Sequence, residues 1–235
     1  MRLPTFSLPD VTGTPIDYKL LFVFQFLGLD PNTYKGFYIE AGANDGITQS
    51  NTALLERRYG WKGLLVEPSP VGYQKCLYNR SAQSNTIVHS ALVSFDAASK
   101  GVTSIRGDFS SGHCMASIDG KRLSAPSYAQ IDVPANTLQS LLDKNNVERV
   151  DLLSLDTEGY EYEILQGIDF NKPSAPKVCI IELYPHEIEQ VKALLNEWYD
   201  FRGNFSNYNK IDHPQWDGTH NDYLFVHRSM VLPPK

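Results

Sequence analysis

The sequence has few cysteines, no excess of basic residues and no long apolar run. Its three cysteines, Cys76, Cys114 and Cys179, are an odd number spaced far apart, which fits neither a disulfide scaffold nor a zinc site and favours a reducing compartment. Lysine and arginine number 21 against 27 for aspartate and glutamate, so the net charge is -6 with neutral histidine. This balance disfavours nucleic acid as a partner, because binding a phosphate backbone needs clustered lysine and arginine.

No apolar segment reaches the roughly 20 residues that a membrane-spanning helix needs. The longest, residues 20–29, is interrupted by Gln25 and Gly28 and is typical of a buried helix. Residues 1–17 lack the basic, apolar and small-residue segments of a secretory signal. We therefore expect a cytoplasmic protein with no membrane partner.

The sequence does contain an alternation of strand-forming and helix-forming segments. Apolar runs predict strands over 36–41, 63–67, 86–93, 150–156, 177–183 and 222–227. Helical patterns predict helices over 50–59, 70–79, 137–144, 158–166 and 185–199, with Ser50, Ser69 and Thr137 as N-caps. Strands that alternate with helices predict an α/β fold, in which a parallel sheet is covered on both faces.

Two parts of the chain stand outside this alternation, although its 235 residues fit a single large domain. Residues 1–35 predict an N-terminal helical extension, which leaves 36–235 as the main domain. Residues 96–130 are polar, rich in small residues and too long for an ordinary connection, so we interpret them as an active-site lid.

The turn after the first strand carries two glycines and two carboxylates. Gly42 and Gly46 allow a backbone to approach a ligand closely, whereas Glu40 and Asp45 would repel a phosphate group. The turn also lacks the three glycines of the dinucleotide-binding fingerprint. We therefore expect this turn to receive an amine rather than a pyrophosphate.

The second strand ends in Glu67, at a position where a carboxylate can accept hydrogen bonds from ribose hydroxyls. Because the carboxyl ends of parallel strands meet at one edge of the sheet, Glu40 and Glu67 are expected to face the same ligand. A nucleoside with an amino group and no pyrophosphate satisfies both carboxylates, and S-adenosylmethionine is such a molecule.

Five blocks of the sequence resemble the FkbM-type S-adenosylmethionine-dependent methyltransferases, a family that largely modifies hydroxyls of sugars and natural products. The blocks cover residues 37–46, 50–52, 60–68, 79–80 and 156–161 in the family's order, with a weaker similarity at 222–226. The resemblance implies a class I methyltransferase fold, Rossmann-like, with a seven-stranded and mostly parallel sheet. One departure is Ser154, at a position where many members carry lysine.

The resemblance also implies which residues bind S-adenosylmethionine. The first turn would hold the methionine part, Glu67 the ribose, and Ala91 with Leu92 the adenine. The candidate cofactor-binding residues are Glu40, Gly42, Ala43, Asn44, Asp45, Gly46, Ser50, Asn51, Thr52, Glu67, Pro68, Ala91, Leu92 and Asp156.

Methyl transfer to an alcohol requires removal of the hydroxyl proton, by a base or with the help of a metal ion. Asp156 ends the fourth strand and Glu158 follows it, while Glu182 and His186 flank the end of the fifth strand. These four are the candidate catalytic residues, with Asp156 as the first choice. Glu158 and His186 also fit a simple role at a helix start. Magnesium or manganese held by two carboxylates is the alternative, and the sequence does not decide between them.

Other polar and aromatic residues have weaker signals. Glu161 and Glu163 are expected at the surface of the following helix. The histidines that fall in expected loops and are candidates to gate substrate are His113, His213 and His220. The aromatic residues that offer faces for a sugar, although most aromatic residues serve a core, include Tyr128, Tyr184, Tyr208, Trp216 and Tyr223.

The sequence therefore predicts an S-adenosylmethionine-dependent O-methyltransferase that acts on a sugar hydroxyl of a glycan or glycoside. Two other interpretations stay open. One is a nucleotide-cofactor oxidoreductase on the same type of sheet, and the other is a non-catalytic methyltransferase-like module for protein interaction. Because the first residues resemble a linker into a helix, we also expect one domain of a larger glycan-building protein.

Overall fold

The computed structural model describes residues 15–30, 32–109, 116–118, 129–214 and 216–230, which form eleven strands and seven helices. The strands are β1 (Phe37–Ala41), β2 (Lys62–Glu67), β3 (Asn85–His89), β4 (Ala91–Leu92), β5 (Val102–Gly107), β6 (Ala116–Ser117), β7 (Ala129–Asn136), β8 (Leu152–Leu155), β9 (Val178–Leu183), β10 (Tyr199–Asn204) and β11 (Asn221–His227). The helices are α1 (Pro15–Phe26), α2 (Ala53–Tyr59), α3 (Pro70–Asn79), α4 (Phe95–Ala98), α5 (Leu138–Lys144), α6 (Glu161–Leu165) and α7 (Ile188–Leu195).

Seven strands form the main sheet, in the order β10-β11-β9-β8-β1-β2-β3. The five neighbouring strands β9, β8, β1, β2 and β3 pair in parallel. Strand β11 runs antiparallel to both of its neighbours, β9 and β10. Every residue of β8 and β9 is buried, as expected for strands covered on both faces. The predicted class I methyltransferase fold, with a seven-stranded and mostly parallel sheet, is confirmed.

Apolar side chains form a core on each face of the main sheet. On one face, helices α5 and α6 contribute the fully buried Leu142 and Leu165. On the other face, Phe24 of α1 packs its ring 4.7 Å from that of Trp61, and Leu55 of α2 lies in the same cluster. The buried helix expected within 20–29 is therefore present, although it ends at Phe26 and not at residue 29.

Helix α1 is also tied to the last strands by a polar contact. Lys19 donates hydrogen bonds from Nζ to the carbonyl oxygens of Phe205 and Ser206, at 3.0 and 2.8 Å. The Ser206 hydroxyl in turn accepts a hydrogen bond from the backbone N–H of Asp222 at 2.9 Å. The N-terminal helix thus packs against the start of the segment that joins β10 to β11.

A second, smaller sheet lies beside the carboxyl end of β3, in the order β4-β7-β5-β6. Its β5 and β6 lie within the segment 96–130, which the sequence predicts as a lid, and β5 pairs antiparallel with β7. Residues 110–115 and 119–128 of that segment, including His113 and Tyr128, lie outside the described part of the chain. The lid stays a prediction, since nothing observed tests whether this segment moves.

Several element boundaries differ from the sequence-based prediction. Helix α2 begins at Ala53 instead of Ser50, and the Ser50 hydroxyl donates to Glu40 while it accepts from Thr52 N and Ala53 N at the helix start. Helix α6 begins at Glu161 instead of Glu158, because Glu158 has a left-handed backbone with φ of 62°. The predicted third strand is divided at Ser90 into β3 and β4. The last predicted helix ends at Leu195 and not at residue 199, and the sequence-based prediction missed the strand β10 that follows it.

Within the described residues, no helix combines the length and the apolar character that crossing a bilayer requires.

Candidate active site

A cavity that is partly open to solvent lies at the carboxyl ends of β1, β2 and β8. Gly42 follows β1, Glu67 ends β2, and Asp156 follows β8, so each strand delivers one residue to the same wall. Strand β1 lies between β2 and β8 at the point where the strand order reverses. Strands β2 and β3 lie on one side of it, and β8 and β9 lie on the other. This is where ligands bind in open parallel sheets.

Gly42 allows the turn after β1 to pack against the end of β8. Its φ is 83°, and a Cβ atom added there would lie 1.7 Å from the carbonyl oxygen of Asp156. Gly46, with φ of 80°, meets the side chains of Cys76 and Arg80 in the same way. The two glycines therefore satisfy close contacts within the protein, and not only the approach of a ligand as we expected from the sequence.

Glu40 holds this turn in place from the side that faces away from the cavity. Its carboxylate accepts hydrogen bonds from Ser50 Oγ at 2.9 Å, Asn51 N at 2.9 Å and Thr52 Oγ1 at 2.7 Å, and Arg80 Nη1 lies 3.1 Å away. The structure thus brings these predicted cofactor-binding residues together. However, their side chains bond to one another beneath the turn and do not line the cavity.

Arg80 is the central residue of this buried network, and the sequence offered only a weak signal for it. Its guanidinium donates to Tyr38 Oη at 2.7 Å and to the Gly46 carbonyl oxygen at 2.9 Å, and it pairs with Glu56. The guanidinium is fully buried, and Glu40 and Glu56 balance its charge. The Asn79-Arg80 block of the family resemblance was the only sign of its importance.

Glu67 lines the cavity, as the sequence predicts for a ribose-binding residue. Its carboxylate accepts hydrogen bonds from Asn44 N and Ser69 N, both at 2.7 Å. Burial raises the pKa of Glu67 to about 7, and these two hydrogen bonds only partly oppose the shift. Pro68 lies beside it in the cavity wall.

The turn holds its remaining predicted residues in different orientations. Asn44 lines the cavity with φ of 48°, and its Oδ1 is buried without a hydrogen-bond donor among the described residues. Asp45 instead accepts hydrogen bonds from Ile47 N and from Thr48; these lower its pKa although burial raises it. Ala43 is buried in the core. Asn44 is thus the residue of this group with unused bonding capacity.

The far end of the cavity is apolar. Ala91 and Leu92 of β4 line it, as predicted for an adenine site. Ile105 of β5 and Ile118, just after β6, face them across the cavity, so the inserted sheet supplies one wall. An apolar slot of this kind suits the faces of an aromatic base.

The opposite end of the cavity is acidic. Asp156 and Glu158 line it, and Glu182 lies buried behind Asp156. Burial and the neighbouring carboxylates raise the pKa of both Asp156 and Glu182 well above the usual range. Glu182 Oε2 is buried and has no hydrogen-bond partner among the described residues. The structure therefore brings together three of the four candidate catalytic residues.

Glu161 shapes the loop that presents Glu158. Its Oε1 accepts hydrogen bonds from Thr157 N at 2.7 Å, Thr157 Oγ1 at 3.0 Å and Gly159 N at 3.3 Å, on both sides of Glu158. The prediction that Glu161 lies at the surface is wrong, because it is fully buried and turns back onto its own loop. Burial raises its pKa to about 7.

His186, the fourth candidate, does not line the cavity. It is exposed, with its ring 6.1 Å from that of Tyr184. A different histidine reaches the acidic group: His220 Nε2 lies 3.1 Å from Glu182 Oε1. The sequence suggested His220 only as a loop residue, because its contact with β9 depends on the return of the chain through β11.

Among the residues described, no three histidine, cysteine, aspartate or glutamate side chains are grouped so that they could hold a metal ion.

Comparison with known proteins places this cavity within a family. The family model described as the methyltransferase FkbM domain matches residues 40–210, nearly three quarters of the chain. The chain belongs to the FkbM methyltransferase family. The matched region includes five of the seven strands of the main sheet in full. It includes only the last two residues of β1, and β11 lies outside it.

Two solved methyltransferase structures support the fold of this FkbM methyltransferase. The METTL16 methyltransferase domain aligns over 94% of this chain and 69% of its own, with a TM-score of 0.52 and 12% identity. A human methyltransferase 10 domain containing protein aligns over 90% and 81%, with a TM-score of 0.50 and 11% identity. A third structure, methyltransferase FkbM from Methylobacillus flagellatus KT, aligns over 82% of this chain and 43% of its own. Its TM-score is 0.46 and its sequence identity is 13%. None of the curated proteins compared with the chain matches it significantly.

The family implies S-adenosylmethionine as the methyl donor, and the cavity fits that molecule. Of the described residues that line it, three are acidic, Glu67, Asp156 and Glu158, and none is lysine, arginine or histidine. This charge favours a ligand with a sulfonium and an ammonium group and opposes a pyrophosphate. The buried Oδ1 of Asn44 is in addition an acceptor that a donor on the ligand can satisfy.

Proposed function

We propose that this FkbM methyltransferase uses S-adenosylmethionine to methylate a hydroxyl group of a sugar, within a glycan or glycoside. The observation that carries the proposal is the position of Asp156, which lines the acidic end of the cavity beside the buried Glu182. A hydroxyl group is a poor nucleophile until its proton is removed, and a carboxylate with a raised pKa is suited to accept that proton.

The cofactor would be held by groups from the three strand ends. Glu67 would accept the ribose hydroxyls, Ala91 and Leu92 would contact the adenine, and Asn44 would accept a hydrogen bond through its free oxygen. When bound, S-adenosylmethionine supplies a methyl group on a positively charged sulfur, which an acceptor oxygen can displace. The turn that Glu40 and Arg80 support would keep these contacts in place.

Asp156 would act as the general base. It is the member of the carboxyl pair that lines the cavity, whereas Glu182 lies behind it. Burial and the neighbouring carboxylates raise the pKa of Asp156, which suits it to accept a proton. Glu158, presented by the loop that Glu161 holds, would accept a hydrogen bond from the acceptor and orient its hydroxyl.

Aromatic side chains near this end support a sugar as the acceptor. The rings of Tyr184, Tyr208 and Trp216 lie 6.0, 6.4 and 6.5 Å from that of His220, which touches Glu182. Aromatic faces pack well against the apolar faces of sugar rings. The acidic cavity also disfavours a phosphate backbone, so we propose no role for nucleic acid.

The test is methylation of a panel of glycosides with isotopically labelled S-adenosylmethionine, followed by mass spectrometry. We expect one labelled methyl group on at least one sugar hydroxyl, and a loss of about 10²–10⁴-fold in rate for Asp156→Asn. Glu189→Gln, an exposed change on α7, is the control. Binding of S-adenosylhomocysteine without methylation of any acceptor would favour a non-catalytic module, and tight binding of NAD in its place would favour an oxidoreductase.

A further inference from the structure

A buried hydrogen bond joins the inserted sheet to the loop that carries Glu158. Ser117 of β6 donates from Oγ to the backbone carbonyl oxygen of Glu158 at 3.1 Å, although the two residues are 41 positions apart in the chain. On the basis of the proposed function, we propose that Ser117 is a positioning residue that couples binding of the cofactor to the orientation of Glu158 toward the acceptor hydroxyl.

Glu158 has a backbone conformation that needs support from its surroundings. Its φ of 62° lies in the left-handed region, which residues other than glycine rarely adopt. Such a conformation persists only where neighbouring groups fix it. The orientation of Glu158 should therefore respond to the loss of a single contact.

Three side chains fix Glu158 and its loop at different atoms. Glu161 accepts hydrogen bonds from the backbone N–H groups on either side of Glu158. Tyr184, directly after β9, donates from Oη to Oε2 of the Glu158 carboxylate at 3.4 Å. Ser117 holds the carbonyl group, and its hydroxyl must be the donor because a carbonyl oxygen can only accept. Of these three side chains, Ser117 is the one that comes from the inserted sheet.

The strand that carries Ser117 also forms part of the apolar end of the cavity. Ala116 and Ile118, the neighbours of Ser117 in the chain, line this cavity. Strand β5 pairs with β6 and contributes the buried Ile105 to the same wall. An adenine packed against these apolar side chains would hold β6, and with it the Ser117 hydroxyl.

These contacts connect the two ends of the cavity. Ser117 itself is 2% exposed and does not line the cavity, so its hydrogen bond to Glu158 is shielded from water. The bound adenine would restrict β6, and Ser117 would then restrict the loop that presents the Glu158 carboxylate to the acceptor. Because coupling between two binding sites is reciprocal, the cofactor and the acceptor should each strengthen binding of the other.

The coupling can be tested with S-adenosylhomocysteine alone. We would use NMR to measure hydrogen–deuterium exchange of the Thr157 and Gly159 amides, which bond to Glu161, with and without saturating ligand. The ligand should slow this exchange in the wild type, and by about 2- to 10-fold less in Ser117→Ala, which corresponds to one hydrogen bond. Ser104→Ala is the control, since it removes a hydroxyl from β5 of the same sheet. Binding without slower exchange in the wild type, or equal slowing in Ser117→Ala, would overturn the coupling.

A double-mutant cycle then tests the acceptor side, with a glycoside that the panel identifies. Ser117→Ala should lower kcat/KM for the glycoside by about 2- to 10-fold. In a Glu158→Ala background the same change should have no further effect, because the carboxylate that Ser117 positions is absent. Additive losses would overturn the role of Ser117. A wild type that binds S-adenosylhomocysteine but methylates no glycoside would overturn the proposed function, and the exchange experiment would still decide whether Ser117 couples the two ends of the cavity.

Discussion

Arg80 and Glu40 form a buried ion pair, with Nη1 3.1 Å from Oε2, directly beneath the turn that follows β1. The carboxylate that the sequence suggested as a ligand for the methionine part of the cofactor is therefore already satisfied by the protein. Its contribution is to fix the turn, and the cavity is lined by the residues that the turn then presents.

Replacing Arg80 by methionine should destabilise the protein by about 3–5 kcal/mol, because the charge of Glu40 would remain buried without its partner. Arg57→Met, an exposed change on α2, should stay within about 0.5 kcal/mol of the wild type. Urea denaturation gives both values. Equal stability of the two variants would show that Arg80 does not neutralise Glu40.

Gly42→Ala should cost at least about 3 kcal/mol, since the new Cβ would collide with the Asp156 carbonyl oxygen and the backbone has φ of 83°. Gly101 provides a matched control, because its φ is 68° but a Cβ there meets no atom within 4 Å. Gly101→Ala should therefore show only the backbone cost of about 1–2 kcal/mol. Thermal unfolding of both variants separates the collision from the backbone term, and equal losses would contradict the close contact.

Stability without ligand should fall as the pH rises from about 4.5 to about 7 because of Glu161, whose pKa in the folded protein is about 7. In this window the folded state holds a proton that the unfolded state has lost, so raising the pH favours unfolding. Glu161→Gln removes this dependence and should gain, relative to the wild type, on the order of 1–3 kcal/mol between pH 5 and pH 8. Denaturation at both pH values measures it. The same gain in Glu163→Gln, on the same helix, would show that burial of Glu161 is not the cause.

Glu67→Ala should weaken binding of S-adenosylhomocysteine by about 1–3 kcal/mol, because the ribose hydroxyls would lose a buried acceptor. Calorimetric titration gives the dissociation constant, and circular dichroism verifies that the turn anchored by Asn44 N still folds. Glu189→Ala, which removes an exposed carboxylate, is the control. An unchanged dissociation constant in a folded Glu67→Ala protein would refute the ribose assignment.

The sequence predicted the sheet because buried parallel strands leave a strong local pattern. It also predicted that Glu67 and Asp156 lie at strand ends, which is enough to bring them to one cavity. Capping by Ser69 and Thr137 was equally local, and their side chains do accept from Gly72 N and Ser140 N.

The remaining features depend on partners that are distant in sequence. The role of Arg80 follows from Glu40 and Glu56, which lie on other elements. The contact of His220 with Glu182 follows from the antiparallel return of β11, which no local pattern encodes. A single charged residue in an expected loop or helix therefore looks like a surface group until the fold is known.

Lys19 ties the first helix to the carbonyl groups of Phe205 and Ser206, close to the loop that carries His220. A protein that starts at residue 36 would keep every strand, but it would lose this contact between α1 and residues 205–206. Because α1 also buries Phe24 against Trp61, we expect such a shortened protein to be less stable, so α1 should be kept when variants are made for crystallisation.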